Sequence, residues 1–232
     1  MDEQVILDGD PPIALVLKPS ARARRLSLRV SRLDGRVTLS LPHGASRRHA
    51  LAFAAEQASW IRRQLARRPD MAQPMPGHML PFRGEPRMIV THGRRSVQLA
   101  NGAIAVPERD PERTPARLAA FLKTHARDAL AEATARHAAA LGRPHGSITL
   151  RDTRSRWGSC SAAGDLMFSW RLIMAPPAVL DYVAAHEVAH LAEMNHSPAF
   201  WATVARLTPG FEPQRRWLNV NAPTLHRYRF RD

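Results

Sequence analysis

Residues 186–198 read HEVAHLAEMNHSP. At about 100° per residue of α-helix, His186 and His190 are offset by about 40°, so both imidazoles leave one face a turn apart. Two nitrogens at that spacing can meet one metal ion. Glu187, about 100° round from His186, is placed to reach a water beside the metal rather than to ligate it. His196 cannot join them on a continuing helix, because six residues carry it about 240° away from His190. A turn is required, and the chain supplies one. Asn195 can leave the helix, Ser197 can cap a new one, and Pro198 suits the first position of PAFWATVARL. Three histidines with a fourth position left to water form the donor set of a catalytic zinc site. Val179, Leu180, Val183, Val188 and Leu191 point in several directions around the same helix, which reads as buried from 178 to about 194. A histidine and a glutamate buried side by side need partners, and a metal satisfies them.

Ahead of this helix, SITLRD (147–152) reads as a strand and RSRWGSCSAAGDL as a turn-rich segment around Gly158 and Gly164. MFSWRL resumes alternation, with Phe168, Trp170 and Leu172 on one face, and Pro176-Pro177 ends the strand and starts the helix. Farther upstream, Asp110 reads as an N-cap with Pro111 at the first helical position, opening a helix through Leu118, Phe121, Leu122, His125 and Ala129 to Gly142. The run 24–42 alternates about Asp34-Gly35. Pairing Leu33 with Arg36 sets Val30 opposite Leu39 and Leu28 opposite Leu41. From 46 to 68 the spacing is helical, ending in arginines 62, 63, 67 and 68, and short strands follow over 80–107 with Asn101-Gly102 as a second hairpin turn. The expected organisation is α+β, with a β-rich region holding one helix over 20–107 and a second region over 110–222 that carries the histidines.

Among 232 residues there is one cysteine, Cys160, so no intrachain disulfide forms; with no apolar leader behind the acidic MDEQ, a reducing cytoplasm is expected. No run is long and apolar enough for a transmembrane helix. The net charge of +14 suits a phosphate-bearing partner such as nucleic acid, although arginine-rich composition alone produces the same excess. Trp157 and Trp170 read as core, Cys160 as packing, and His226 in the RYRFRD tail, with the remaining histidines, as surface.

The runs SRWGSCS (155–161) and FSWRLIMAPPAVLDYVAAHEVAHLAEMNHSPAFW resemble the YgjP-like metallopeptidases, relatives of the zincin-like SprT and WLM proteins. The resemblance implies a zincin-like core with the active-site helix packed on a small antiparallel sheet. It also implies His186, His190 and His196 as zinc ligands and Glu187 as the acid/base of peptide hydrolysis. In zincins the strand before the metal helix pairs with extended substrate, which would be MFSWRL here. By proximity in sequence, and not from the resemblance, Arg171 and Tyr182 are candidate donors to the developing oxyanion, with surface packing as the alternative reading of each. Two other readings stand beside peptide cleavage. One is hydrolysis of a nucleotide or other phosphoanhydride, with Arg154, Arg156 and Arg171 flanking the site; no phosphate-cradling Gly-rich loop supports it. The other is a SprT-like protease acting on nucleic-acid-bound proteins.

Overall fold

The computed structural model describes residues 2–31, 34–66 and 70–230. The chain forms two compact units, Met1–Asp70 and Met71–Asp232, so the strands after residue 78 belong to the second unit rather than to the N-terminal region.

In the first unit, β1 (Glu3–Leu7), β2 (Ile13–Ser20), β3 (Ser27–Val30) and β4 (Val37–Pro42) build one sheet in the order β1-β2-β4-β3. The inward residues of β2 and β4, Leu15, Leu17, Val37 and Leu39, are buried with Ala50, Ala54 and Ile61 from two helices. These helices, α1 (Arg47–Glu56) and α2 (Ala58–Ala66), replace the single helix expected over 46–68, because the chain breaks at Gln57. Ser46 caps α1 by accepting from His49 N–H. The hairpin forms in a different register from the one expected: Val30 faces Val37 and Leu28 faces Leu39. Ser31 N–H bonds Arg36 C=O and Gly35 N–H bonds Ser31 C=O, so Arg36 pairs with Ser31. A slip of two keeps every side chain on its own face, which is why the apolar pattern could not detect it. Leu33, Arg67 and Arg68 lie outside the described residues.

The second unit opens with β5 (Met79–Phe82), β6 (Glu85–His92), β7 (Gln98–Ala100) and β8 (Ala103–Pro107), in the order β5-β6-β8-β7. Asn101 and Gly102 both take positive φ, 48° and 78°, as a tight hairpin turn demands. Asp110 is left-handed and makes no side-chain cap; a 3-10 turn over Pro111–Arg113 precedes the long helix α3 (Thr114–Leu141), which ends on left-handed Gly142. Next come β9 (Ile148–Arg151), β10 (Gly158–Cys160) and β11 (Leu166–Ser169), in the order β10-β11-β9. The sheet is mixed, not antiparallel, since β9 and β11 run parallel.

The alternation expected through MFSWRL stops at Ser169. Trp170–Met174 form a 3-10 turn whose five residues are all buried, a pattern that no half-exposed strand can produce. α4 (Pro177–Ala189), α5 (Pro198–Leu207) and α6 (Glu212–His226) complete the unit. Leu118, Leu122 and Leu130 of α3 join Phe168, Val183, Val188 and Phe200 in one core, each fully buried side chain of this size contributing about 1.5–3 kcal/mol. The basic tail is not a surface tail: Tyr228 and Phe230 are buried, and residues 72 and 228 form a β-bridge. No helix among the described residues is long and apolar enough to cross a membrane.

Candidate metal centre

α4 is buried on nearly every side, with nine of its thirteen residues inaccessible, so packing rather than a ligand fixes its position. His190 is its C-cap, and the helix therefore ends a turn sooner than expected. The corner that follows is the anticipated one. Asn195 Oδ1 accepts from Ser197 N–H, and Ser197 caps α5 by accepting from Phe200 N–H, which returns His196 towards α4.

One nitrogen from each of His186, His190 and His196 lies within 4.8 Å of the others. His186 Nε2 and His196 Nε2 are 3.2 Å apart. Two ligands of one tetrahedral ion at about 2.0–2.1 Å stand about 3.3 Å from each other, so this pair is spaced to share an ion. His190 Nδ1 donates to Glu193 C=O at 3.0 Å, which selects the tautomer whose Nε2 lone pair is free. Burial, then the neighbouring His190, His196 and Arg215, drive the His186 imidazole down to about 3. Burial and His196 also lower His190 against the pull of the Glu193 carbonyl. Both rings are thus neutral, the form that ligates. Phe200, fully buried, stacks on His190 at 4.4 Å and meets His186 and His196 edge-on.

Glu187 lines the same cavity of about 420 Å³. Burial pushes its carboxyl up to about 8, with Arg156 pulling the other way. Its place depends on a residue that sequence reasoning passed over as a turn. A Cβ on Gly158 would stand 2.5 Å from Glu187 Cγ and 2.7 Å from Cδ, and nearer still to Oε1.

β10 also supplies the sheet edge. β11 cannot accept a further strand, because β10 and β9 occupy both its sides. Trp157 C=O accepts from Ser169 N–H, and Ser161 N–H donates to Asp165 C=O. The odd-numbered residues therefore spend their backbone groups on β11, and the antiparallel alternation turns the N–H and C=O of Gly158 and Cys160 outward. Both residues line the cavity.

Tyr182 lines the cavity too, stacked on Phe211, whereas Arg171 is engaged elsewhere. Arg171 grips Asp152 with two nitrogens and donates to Leu225 C=O and Tyr228 C=O. Trp170 is core as expected, while Trp157 lines the cavity and packs on His226 at 5.0 Å. His226 is buried rather than on the surface, because α6 runs on to carry it inward. His137 is likewise buried and bonds Asp181 at 2.9 Å.

No curated protein matches the chain. A solved structure, the metallopeptidase zymogen of Pyrococcus abyssi abylysin, is similar over 44% of this chain and 90% of that one, at 21% identity and a TM-score of 0.31. Residues 24–221 match the family described as YgjP-like, metallopeptidase domain. That match spans most of the chain and includes the three convergent histidines and Glu187: the protein belongs to the YgjP-like metallopeptidases, hydrolases that work with a metal ion.

Proposed function

We propose that the protein is a zinc peptidase that cleaves peptide bonds, with His186, His190 and His196 as ligands and Glu187 as general base, on a zincin-like core. The observation that carries this reading is the convergence of three imidazole nitrogens beside a buried glutamate in one cavity. Three imidazole nitrogens with an open fourth position suit zinc. When bound, zinc supplies Lewis acidity that polarises a carbonyl, acidifies water and favours the ionised form of Glu187.

The chain's own residues supply the rest. The free edge of β10 holds an extended peptide through the outward N–H and C=O groups of Gly158 and Cys160. Glu187 accepts a proton from the attacking water and delivers it to the leaving amine. Tyr182 keeps its place as donor to the oxyanion because it lines the cavity, and the commitments of Arg171 withdraw that residue from the role.

The test is metal content and peptidase activity of the wild type beside three variants. About one zinc per chain is expected in the wild type and in Glu187→Gln, with turnover lost in the latter. His190→Ala and His196→Ala should lose both. Full activity in Glu187→Gln, or no zinc taken up by the wild type, refutes the assignment.

A further inference from the structure

The cavity beside the three histidines does not end at them. A second cavity of about 440 Å³ shares His190 and Met194 with the first and continues past the end of β10, along Ser161–Gly164, to Arg143. No carboxylate lines it. Arg143 follows the left-handed Gly142 that ends α3, and its own N–H bonds Ala138 C=O. Its Nη1 donates to Leu191 C=O at 2.8 Å, just past the end of α4. That bond ties the exposed Arg143 side chain to the cavity wall while leaving its other donors unspent. Among the described residues Arg143 makes no ion pair, whereas Arg156 at the other end of the cleft acts on the Glu187 carboxyl. A cation tied to the wall of a cavity that no acid lines, next to the reacting centre, suits an anion carried by the substrate.

We infer that this second cavity is a substrate subsite for an acidic side chain, bound by Arg143, and that the enzyme prefers peptides carrying Asp or Glu a short way along the chain from the cleaved bond. The inference rests on the peptidase reading. A peptide laid along the free edge advances about 3.3 Å per residue, so an aspartate or glutamate about three residues from the bond reaches the level of Ser161.

The test uses zinc-loaded protein and one peptide sequence, acetylated and amidated at its ends so that a side chain is its only carboxylate. Glu, Gln or Lys is placed two or three residues to either side of the cleaved bond. Expected at low salt is a kcat/KM about fivefold or more higher for Glu than for Gln at one of these positions, with Lys lowest, the preference shrinking as salt is raised. In Arg143→Gln the Glu/Gln ratio should fall to about one. A merely structural effect through Leu191 would lower both peptides alike and leave the ratio intact, which overturns the inference. So does equal kcat/KM for Glu and Gln peptides in the wild type. Equilibrium binding of the same peptides to Glu187→Gln separates this question from catalysis. Tighter binding of the Glu peptide, lost on adding Arg143→Gln, upholds the subsite even where no bond is cut. Absent or charge-blind binding refutes it.

Discussion

Gly158→Ala tests whether the edge strand positions the base. The new Cβ would meet Glu187 at 2.5 Å from Cγ and 2.7 Å from Cδ, where ordinary contact begins at about 3.5–4.0 Å. The carboxyl must therefore retreat by about 1 Å, since Gly158 sits in a strand paired to Phe168 and cannot move freely. A misplacement of about 1 Å in a catalytic group costs about a hundredfold in rate, or about 2.7 kcal/mol of transition-state stabilisation. The three atoms nearest the new methyl all belong to Glu187, so zinc content should hold at the wild-type value. Replacing a strand glycine also gains about 0.5–1 kcal/mol from the unfolded chain, which offsets part of the overpacking. Steady-state kinetics with a fluorogenic peptide, beside metal analysis and thermal melts, should show kcat down about a hundredfold, metal retained and Tm shifted little. A kcat within about threefold of wild type would show that Glu187 does not act from where it stands, and loss of metal would show that Gly158 serves the ligands instead.

Arg171→Met should lower stability by about 3–5 kcal/mol, because Leu225 C=O and Tyr228 C=O lose a buried charged donor; kcat of the folded fraction should stay near wild type, and a selective fall in kcat would return Arg171 to the chemistry. Burial, then Arg171 and Arg154 against the opposing pull of Asp152, holds the His226 imidazole at about 4, below its ordinary 6.5. The unfolded chain therefore binds the extra proton between those values, so this contribution is complete above about pH 6.5 and is lost as pH falls towards 4, by at most roughly 3 kcal/mol. Urea midpoints from pH 4 to 7 should fall less steeply with acid in His226→Phe, and parallel slopes would contradict the assignment. Chelated protein should keep its far-ultraviolet circular dichroism, since packing on nine of its residues holds α4; collapse of the helical signal would mean that the metal, not the core, orders the unit.

The convergence of the three histidines was legible in the sequence because its constraints are local. The spacing of His186 and His190 fixes their common face, and Asn195, Ser197 and Pro198 carry enough turn chemistry to bring His196 back. What escaped was decided by distant partners. β10 is three residues of Gly, Ser and Cys that resemble a loop, and it becomes a strand only because β11 and the Ser161–Asp165 turn hold it. For the same reason the substrate-pairing strand that the resemblance implies, MFSWRL, falls on β11, whose second neighbour, β9, arrives in parallel register from earlier in the chain. Arg171 looked available beside the metal helix because nothing local reveals that Leu225 and Tyr228 return to it. One miss did have a signal: in the tail, Tyr228 and Phe230 alternate with arginines, the period of a half-buried extended segment, and the charges masked it.

The three histidines are unequally mounted. His190 is buried and His186 half-buried on a helix locked in the core, while His196 is exposed on a short corner between helices. Under the proposed ligation an ion would have two ligands on the buried helix and one exposed ligand. Of the three, His196 would be the ligand to detach first, so metal exchange would proceed without any opening of the core.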